Sequence, residues 1–301
     1  MKKKVVSVVL AAAMTTTLVV GCGSTGSVDT AADTSAEAAE DTEAAETTDT
    51  TETATGDTIK VAVVKQMDHA SLDEIANAVE EELDAIAAKN GVTIEYETYS
   101  GQGDQSVLNQ IGTQVVSEDV DVIIPIATLA AQVMANCAEE TQTPVVFSAV
   151  SDPVGSGLVD SLDAPGANIT GTSDYLDTSS IMKLIQAQNP DVKKIGLLYD
   201  VGQDSSTTAI QEAKDYLDEQ GIEYAERTGT TTDEVQLAAE ALIADGVDAV
   251  FTPTDNTIMT AELSIYEKFI EAGIPHYTGA DSFALNGAFV GYGVDYANLG
   301  Q

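Results

Sequence analysis

From Thr58 onward, short continuous apolar runs alternate with amphipathic stretches of helical period, and no other feature limits the possible folds so much. The first unit is IKVAVV at 59–64, followed by a stretch over 71–89 with apolar residues at Leu72, Ile75, Ala76, Val79, Leu83 and Ile86. That spacing predicts a helix with one buried face. The pattern continues with VTIEYETY, a helix over 105–116, DVIIPI, a helix over 130–138, and PVVFSAV. Apolar runs without polar alternation are buried on both faces, which requires a parallel sheet sandwiched between helices. A turn-rich stretch, DPVGSGLVDSLDAPGANITGTSDY, then breaks the rhythm. The alternation restarts with a helix over 178–188, KKIGLLYD, a helix over 207–220, IEYAERT, a helix over 233–244, AVFTPT, a helix over 258–272, and IPHYTG. The expected fold is α/β: two doubly wound parallel-sheet lobes, 58–170 and 171–290, with a hinged cleft between the carboxyl ends of their strands, where such sheets bind ligands. Residues 291–301 are expected to start a return to lobe one. GVDYANLGQ reads as the opening of a further helix, so the chain is expected to be truncated.

Ahead of the alternation, Lys2, Lys3 and Lys4 precede an apolar stretch over 5–20 that is interrupted by Thr15, Thr16 and Thr17. This has the size and charge of an export signal. It ends in Val19-Val20-Gly21-Cys22, which resembles the lipobox of bacterial lipoproteins, where the cysteine is diacylated and becomes the new N-terminus. The alternative is an ordinary cleaved signal with an accidental cysteine. Residues 23–57 hold ten acids and no Lys, Arg or aromatic residue, too little apolar surface to offset ordering entropy. They read as an extended tether rather than as an Ala-rich helix over 36–45.

Fifty acidic against twelve basic side chains give a net charge of −38, which repels nucleic-acid backbones. Two cysteines and two histidines, each far from its fellow, supply neither a four-ligand zinc site nor a disulfide framework. Cys137 reads as a buried, inert thiol and His69 as a loop or cleft-edge group. GQGDQS at 101–106 lacks the third glycine of a dinucleotide fingerprint, and neither a P-loop nor a GxSxG elbow occurs. No cofactor and no metal are expected, and an extracellular enzyme is disfavoured.

The informative residues are polar groups at strand ends: Thr128 after DVIIPI, Ser148 to Asp152 after PVVF, and Thr254, Asp255 and Asn256 after AVFTP. Their hydroxyls and the helix starts beside them point towards the cleft. For Thr128, Ser205 and Asp255 two readings stand side by side, a ligand contact or a simple N-cap.

HASLDEI at 69–75, QGD at 102–104, IATLAAQ at 126–132, VVFSAVSDPVGSGLV at 145–159, ANITGTSDY at 167–175 and GVDYANLG at 293–300 together resemble the substrate-binding lipoproteins of the tryptophan and tyrosine ABC-transporter group. Leu129 stands where a proline is usual, and Asp204-Ser205-Ser206 replaces the commoner acidic-x-Asn-Ser. The resemblance implies a type I periplasmic-binding fold that closes on a free, aromatic amino acid and hands it to permease and ATPase subunits. It also implies an extracytoplasmic, lipid-anchored location and a monomer. A zwitterion would find donors for its carboxylate in Thr128 and Ser148 and an anion for its ammonium in Asp255, with Asp174 or Asp281 as substitutes. Ser205 and Asn256 complete the expected set, and Tyr199 and Phe147 would stack on the ligand, since the chain has no tryptophan. A ligand-sensing domain of a membrane receptor, or a receptor for a sugar or other small polar solute, would use the same fold.

The lipobox yields a direct test. Cys22→Ser is expected to release the protein into the medium or leave an uncleaved precursor, read from membrane fractionation and the acyl mass of the N-terminal peptide.

Overall fold

The computed structural model describes residues 58–301, so the expected signal segment 1–22, Cys22 and the tether 23–57 lie outside the described residues.

Strand β1 (Thr58–Lys65) is central because both its faces are apolar. Val61 and Val63 enter one hydrophobic core, while Ala62 and Val64 enter another. It pairs in parallel with β2 (Thr93–Ser100) on one side and β3 (Val122–Ile126) on the other. Helix α1 (Ala70–Asn90) buries Leu72, Ile75, Ala76 and Val79 and stops at Gly91, whose φ of 64° suits glycine at a helix end. Helix α2 (Gln105–Ser117) is capped by the Asp104 carboxylate, which accepts from the Ser106 and Val107 amides. Helix α3 (Thr128–Cys137), β4 (Val145–Phe147) and β5 (Ile169–Gly171) complete the lobe, in the strand order β2-β1-β3-β4-β5.

The second lobe repeats this plan. It runs α4 (Thr178–Gln188), β6 (Lys194–Tyr199), α5 (Asp204–Gln220), β7 (Glu223–Thr228), α6 (Thr232–Ala244), β8 (Ala249–Thr252), α7 (Asn256–Ala272), β9 (His276–Thr278), α8 (Asp281–Leu285) and β10 (Val290–Gly291). Its all-parallel order is β10-β9-β8-β6-β7, so β6 and β8 stand to this lobe as β1 and β3 stand to the first. Helix α9 (Tyr296–Gly300) then packs on α1, with Gly300 seated over Ala78. The chain therefore has two parallel-sheet α/β lobes.

Three differences from the sequence reading matter. The turn-rich stretch contains β5, which carries the first sheet through Gly171. A three-residue strand leaves no period to read, and its place depends on Gly171, where a Cβ would collide with the Phe147 carbonyl oxygen. The short α8 and β10 escape notice for the same reason of length. Finally, α3, α5 and α7 begin at Thr128, Asp204 and Asn256 rather than at 130, 207 and 258, so the polar residues there occupy first helical turns and not loops.

Gly171→Ala is expected to separate β5 from β4. A loss of about 2 kcal/mol, or about 4–8 °C in Tm for a unit of this size, should appear in thermal denaturation followed by circular dichroism.

Candidate functional site

In both sheets the winding reverses next to the lobe's first strand, between β1 and β3 and between β6 and β8. Helices leave those strands in opposite directions and open a crevice at their carboxyl ends. The starts of α1, α3, α5 and α7 border a cavity holding about 370 Å³ of space between atoms, part of it open to solvent. His69, Thr128, Asp174, Ser205, Asp255 and Asn256 supply much of its polar lining, and Leu72, Met259, Phe283 and Tyr296 much of its apolar lining. Ala127 and Ala149 also face it, with φ of 78° and 56°, left-handed values that non-glycine residues adopt at a cost and that concentrate at functional sites.

The geometry separates ligand-facing groups from caps. Thr128 is the first residue of α3, whose N-cap is Ala127, and its Oγ1 is buried with no hydrogen-bond partner among the described residues. Ser205 lies in the first turn of α5, behind Gln203 at the N-cap, and its Oγ is likewise buried and unpartnered. Neither hydroxyl caps a helix. Asp255 does: one oxygen accepts from the Ile258 amide at 2.9 Å, and the other accepts from the Asp200 amide at 2.8 Å and the Ser206 hydroxyl at 2.7 Å. Its carboxylate thus ties the start of α7 to the end of β6 and to α5. Asp174, on the crossing from β5 to α4, is less encumbered, with the Ser151 hydroxyl donating to it at 2.9 Å. Burial pushes both carboxyls up to about 6, against hydrogen bonds that pull the other way. Among the described residues, no Lys or Arg lines the cavity.

Other expected residues are elsewhere. Ser148 is buried but does not line this cavity; its Oγ lies 3.4 Å from the Thr172 hydroxyl, and its backbone pairs with Pro125 and Ala127. Tyr199, last in β6, packs against the lobe-two core, and its phenol donates to Glu226 at 2.9 Å. Strand alternation turns it away from the crevice. Phe147 belongs to the lobe-one core, and Asp281 is exposed at the start of α8. His69 lies, as expected, in the turn between β1 and α1, but it also lines the cavity, 2.8 Å from Asn256. Its position just after the first strand, in the first βα turn of a doubly wound sheet, is the signal that could have found it.

The lobes meet across the cavity. His69 bonds Asn256, Gln132 donates to Asp204 at 2.8 Å, Thr208 donates to Asp152 at 2.7 Å, and the Ser71 and Ser282 hydroxyls lie 2.5 Å apart. This is a closed arrangement.

A profile of the family described as ABC transporter substrate binding protein matches residues 60–301. The chain belongs to that family. This binding protein is 30% identical over 240 residues to a tyrosine-binding protein of Clostridioides difficile strain R20291, covering 80% of this chain and 69% of the relative. It is also similar to a domain from Streptococcus pneumoniae solved in complex with L-Trp, at 31% identity, TM-score 0.75 and 81% coverage of each chain. To the ligand-free, open structure of a substrate binding protein with adhesive properties from Clostridium difficile it is 28% identical, with TM-score 0.60 and coverage of 80% and 81%. The better superposition on the ligand complex at almost equal identity agrees with the closed contacts. Among the described residues, no helix is long and apolar enough to cross a membrane, and no group of His, Cys, Asp or Glu side chains could hold a metal ion.

The buried acids impose a pH dependence. A carboxyl whose pKa is raised by folding stabilises the fold below its unfolded pKa and loses that contribution as pH rises through about 6. His69, whose pKa burial lowers, acts in the opposite sense as pH falls. Asp174→Asn isolates one contribution: the Tm of the variant relative to the ligand-free parent should rise between pH 5 and pH 7, by the equivalent of about 1 kcal/mol. A constant difference in Tm would mean that Asp174 titrates normally.

Proposed function

We propose that this binding protein captures a free α-amino acid with an aromatic side chain outside the cytoplasm and delivers it to the permease of an ABC importer. In this reading it acts as a monomer, without catalysis, held to the membrane by acylated Cys22 through the 23–57 tether. The observation that carries the ligand assignment is the pair of buried, unpartnered hydroxyls, Thr128 Oγ1 and Ser205 Oγ, on the first turns of helices from opposite lobes, facing the same cavity as Asp174.

Helix starts and hydroxyls favour a carboxylate. A simple anion would leave Asp174 facing like charge, and a simple cation would leave the helix starts unmatched. An α-amino acid satisfies both, with its carboxylate held by Thr128 and Ser205 and its ammonium by Asp174. The ammonium role passes from Asp255 to Asp174 because the oxygens of Asp255 already accept three hydrogen bonds. Leu72, Met259, Phe283 and Tyr296 offer apolar surface to an aromatic ring, and Phe283 is braced edge-on against His276, with ring centroids 6.2 Å apart. The ligands named for the tyrosine-binding and L-Trp-bound relatives support the same class.

Calorimetric titration with L-tyrosine, L-tryptophan and L-phenylalanine tests the reading. Thr128→Ala and Ser205→Ala should each weaken binding by about 1–2 kcal/mol, and Asp174→Asn by about 2–4 kcal/mol, because it leaves an ammonium without its counter-charge. Asp255→Asn should lower stability rather than affinity. Binding of a neutral sugar but of no amino acid would sink the proposal.

A further inference from the structure

We infer that His69 is a ligand-binding residue whose Nδ1 accepts a hydrogen bond from an N–H or O–H of the bound solute. The inference rests on the amino-acid reading above.

A run of hydrogen bonds with only one consistent direction determines which ring nitrogen carries the proton. It starts at Asp200, whose carboxylate can only accept. Thr257 donates to its Oδ2 at 2.7 Å, so the Thr257 oxygen accepts from Gln203 Nε2 at 3.0 Å. Gln203 Oε1 then accepts from Asn256 Nδ2 at 3.2 Å, which turns Asn256 Oδ1 towards His69 Nε2 at 2.8 Å. Reversing the amides would require Thr257 to give its single proton to Gln203 and would strip Asp200 Oδ2 of that donor. Nε2 therefore bears the hydrogen and donates to Asn256. In a neutral ring Nδ1 is then a lone pair, and burial favours the neutral form.

That lone pair belongs to a buried atom with no partner among the described residues, in the wall of the cavity that Thr128 Oγ1 and Ser205 Oγ also face unpartnered. A buried acceptor without a donor is costly, and the solute is the group that reaches this space. The run also crosses the cleft. Asp200, Gln203, Asn256 and Thr257 belong to lobe two and His69 to lobe one, so the ring is oriented only when the lobes are closed, and occupancy and closure reinforce each other. Asn256 and Thr257 act here as positioning residues.

The chain has two histidines, so ¹⁵N-histidine labelling gives a two-ring spectrum. His276 serves as the internal reference, since its nitrogens lie 3.1 Å from Glu262 and 2.9 Å from Thr252. On saturation with L-tyrosine or L-tryptophan, His69 should show the Nε2–H tautomer, and its Nδ1 resonance should move in the direction of an accepted hydrogen bond while His276 stays in place. Thr257→Val, which does not touch the cavity, should admit the other His69 tautomer. His69→Phe should weaken binding about tenfold. An equal loss for tyrosine, tryptophan and phenylalanine would identify the donor as the α-ammonium, and a loss confined to tyrosine and tryptophan would identify a ring donor. If amino acids bind but the Nδ1 resonance does not move, or if the Nδ1–H tautomer dominates, the inference is overturned and the amino-acid reading stands. If none of the three binds the parent protein, both fall.

Discussion

A helix that follows a parallel strand begins with amide groups that its own backbone cannot pair, and in this protein four such helix starts border one crevice. The rest of the site depends on that convergence. In a chain with 50 acids and 12 bases, the ion-paired cations among the described residues, Lys65 with Asp68 and Asp73, Lys214 with Glu226, Arg227 with Asp245 and Lys268 with Glu240, do not line the cavity. The cleft therefore offers an anionic group helix dipoles and hydroxyls rather than a guanidinium or ammonium. Such donors are held by the sheet scaffold and lose little side-chain entropy when they bind.

The two buried acids of the cleft differ in coordination and so in use. Asp255 is saturated and acts inside lobe two, where it joins the ends of two neighbouring strand-to-helix turns into one rigid unit. Asp174 has one hydroxyl partner and lies on the crossing between lobes. The hydrogen bonds of His69, Gln132 and Asp152 across the cleft join the two lobes through polar side chains.

Much of the architecture was legible in contiguous residues. The uninterrupted apolar runs of β1, β3, β6 and β8 and the helical spacing along α1 are local signals of burial on two faces and on one. The polar residues after β3 and β8 marked the correct end of each sheet for the same reason. Elements too short to carry a period, β5, α8 and β10, were not legible, because packing against neighbours maintains them and propensity does not.

The side-chain roles were a different matter. Thr128, Ser205 and Asp255 share one sequence signature, a polar residue where a strand hands over to a helix, yet two are unpartnered in a cavity and the third is a saturated cap. Ser148 and Tyr199 stand at equally good strand ends and turn elsewhere, while His69, in the turn after the first strand, bonds across the cleft to a residue 187 positions away. The sequence by itself determined the order of the long strands and helices and, to within three residues, where those helices begin, because both depend on residues next to one another in the chain. Which groups are left without a partner only the tertiary structure decided, because hydrogen-bond satisfaction is a property of atoms brought together from both lobes.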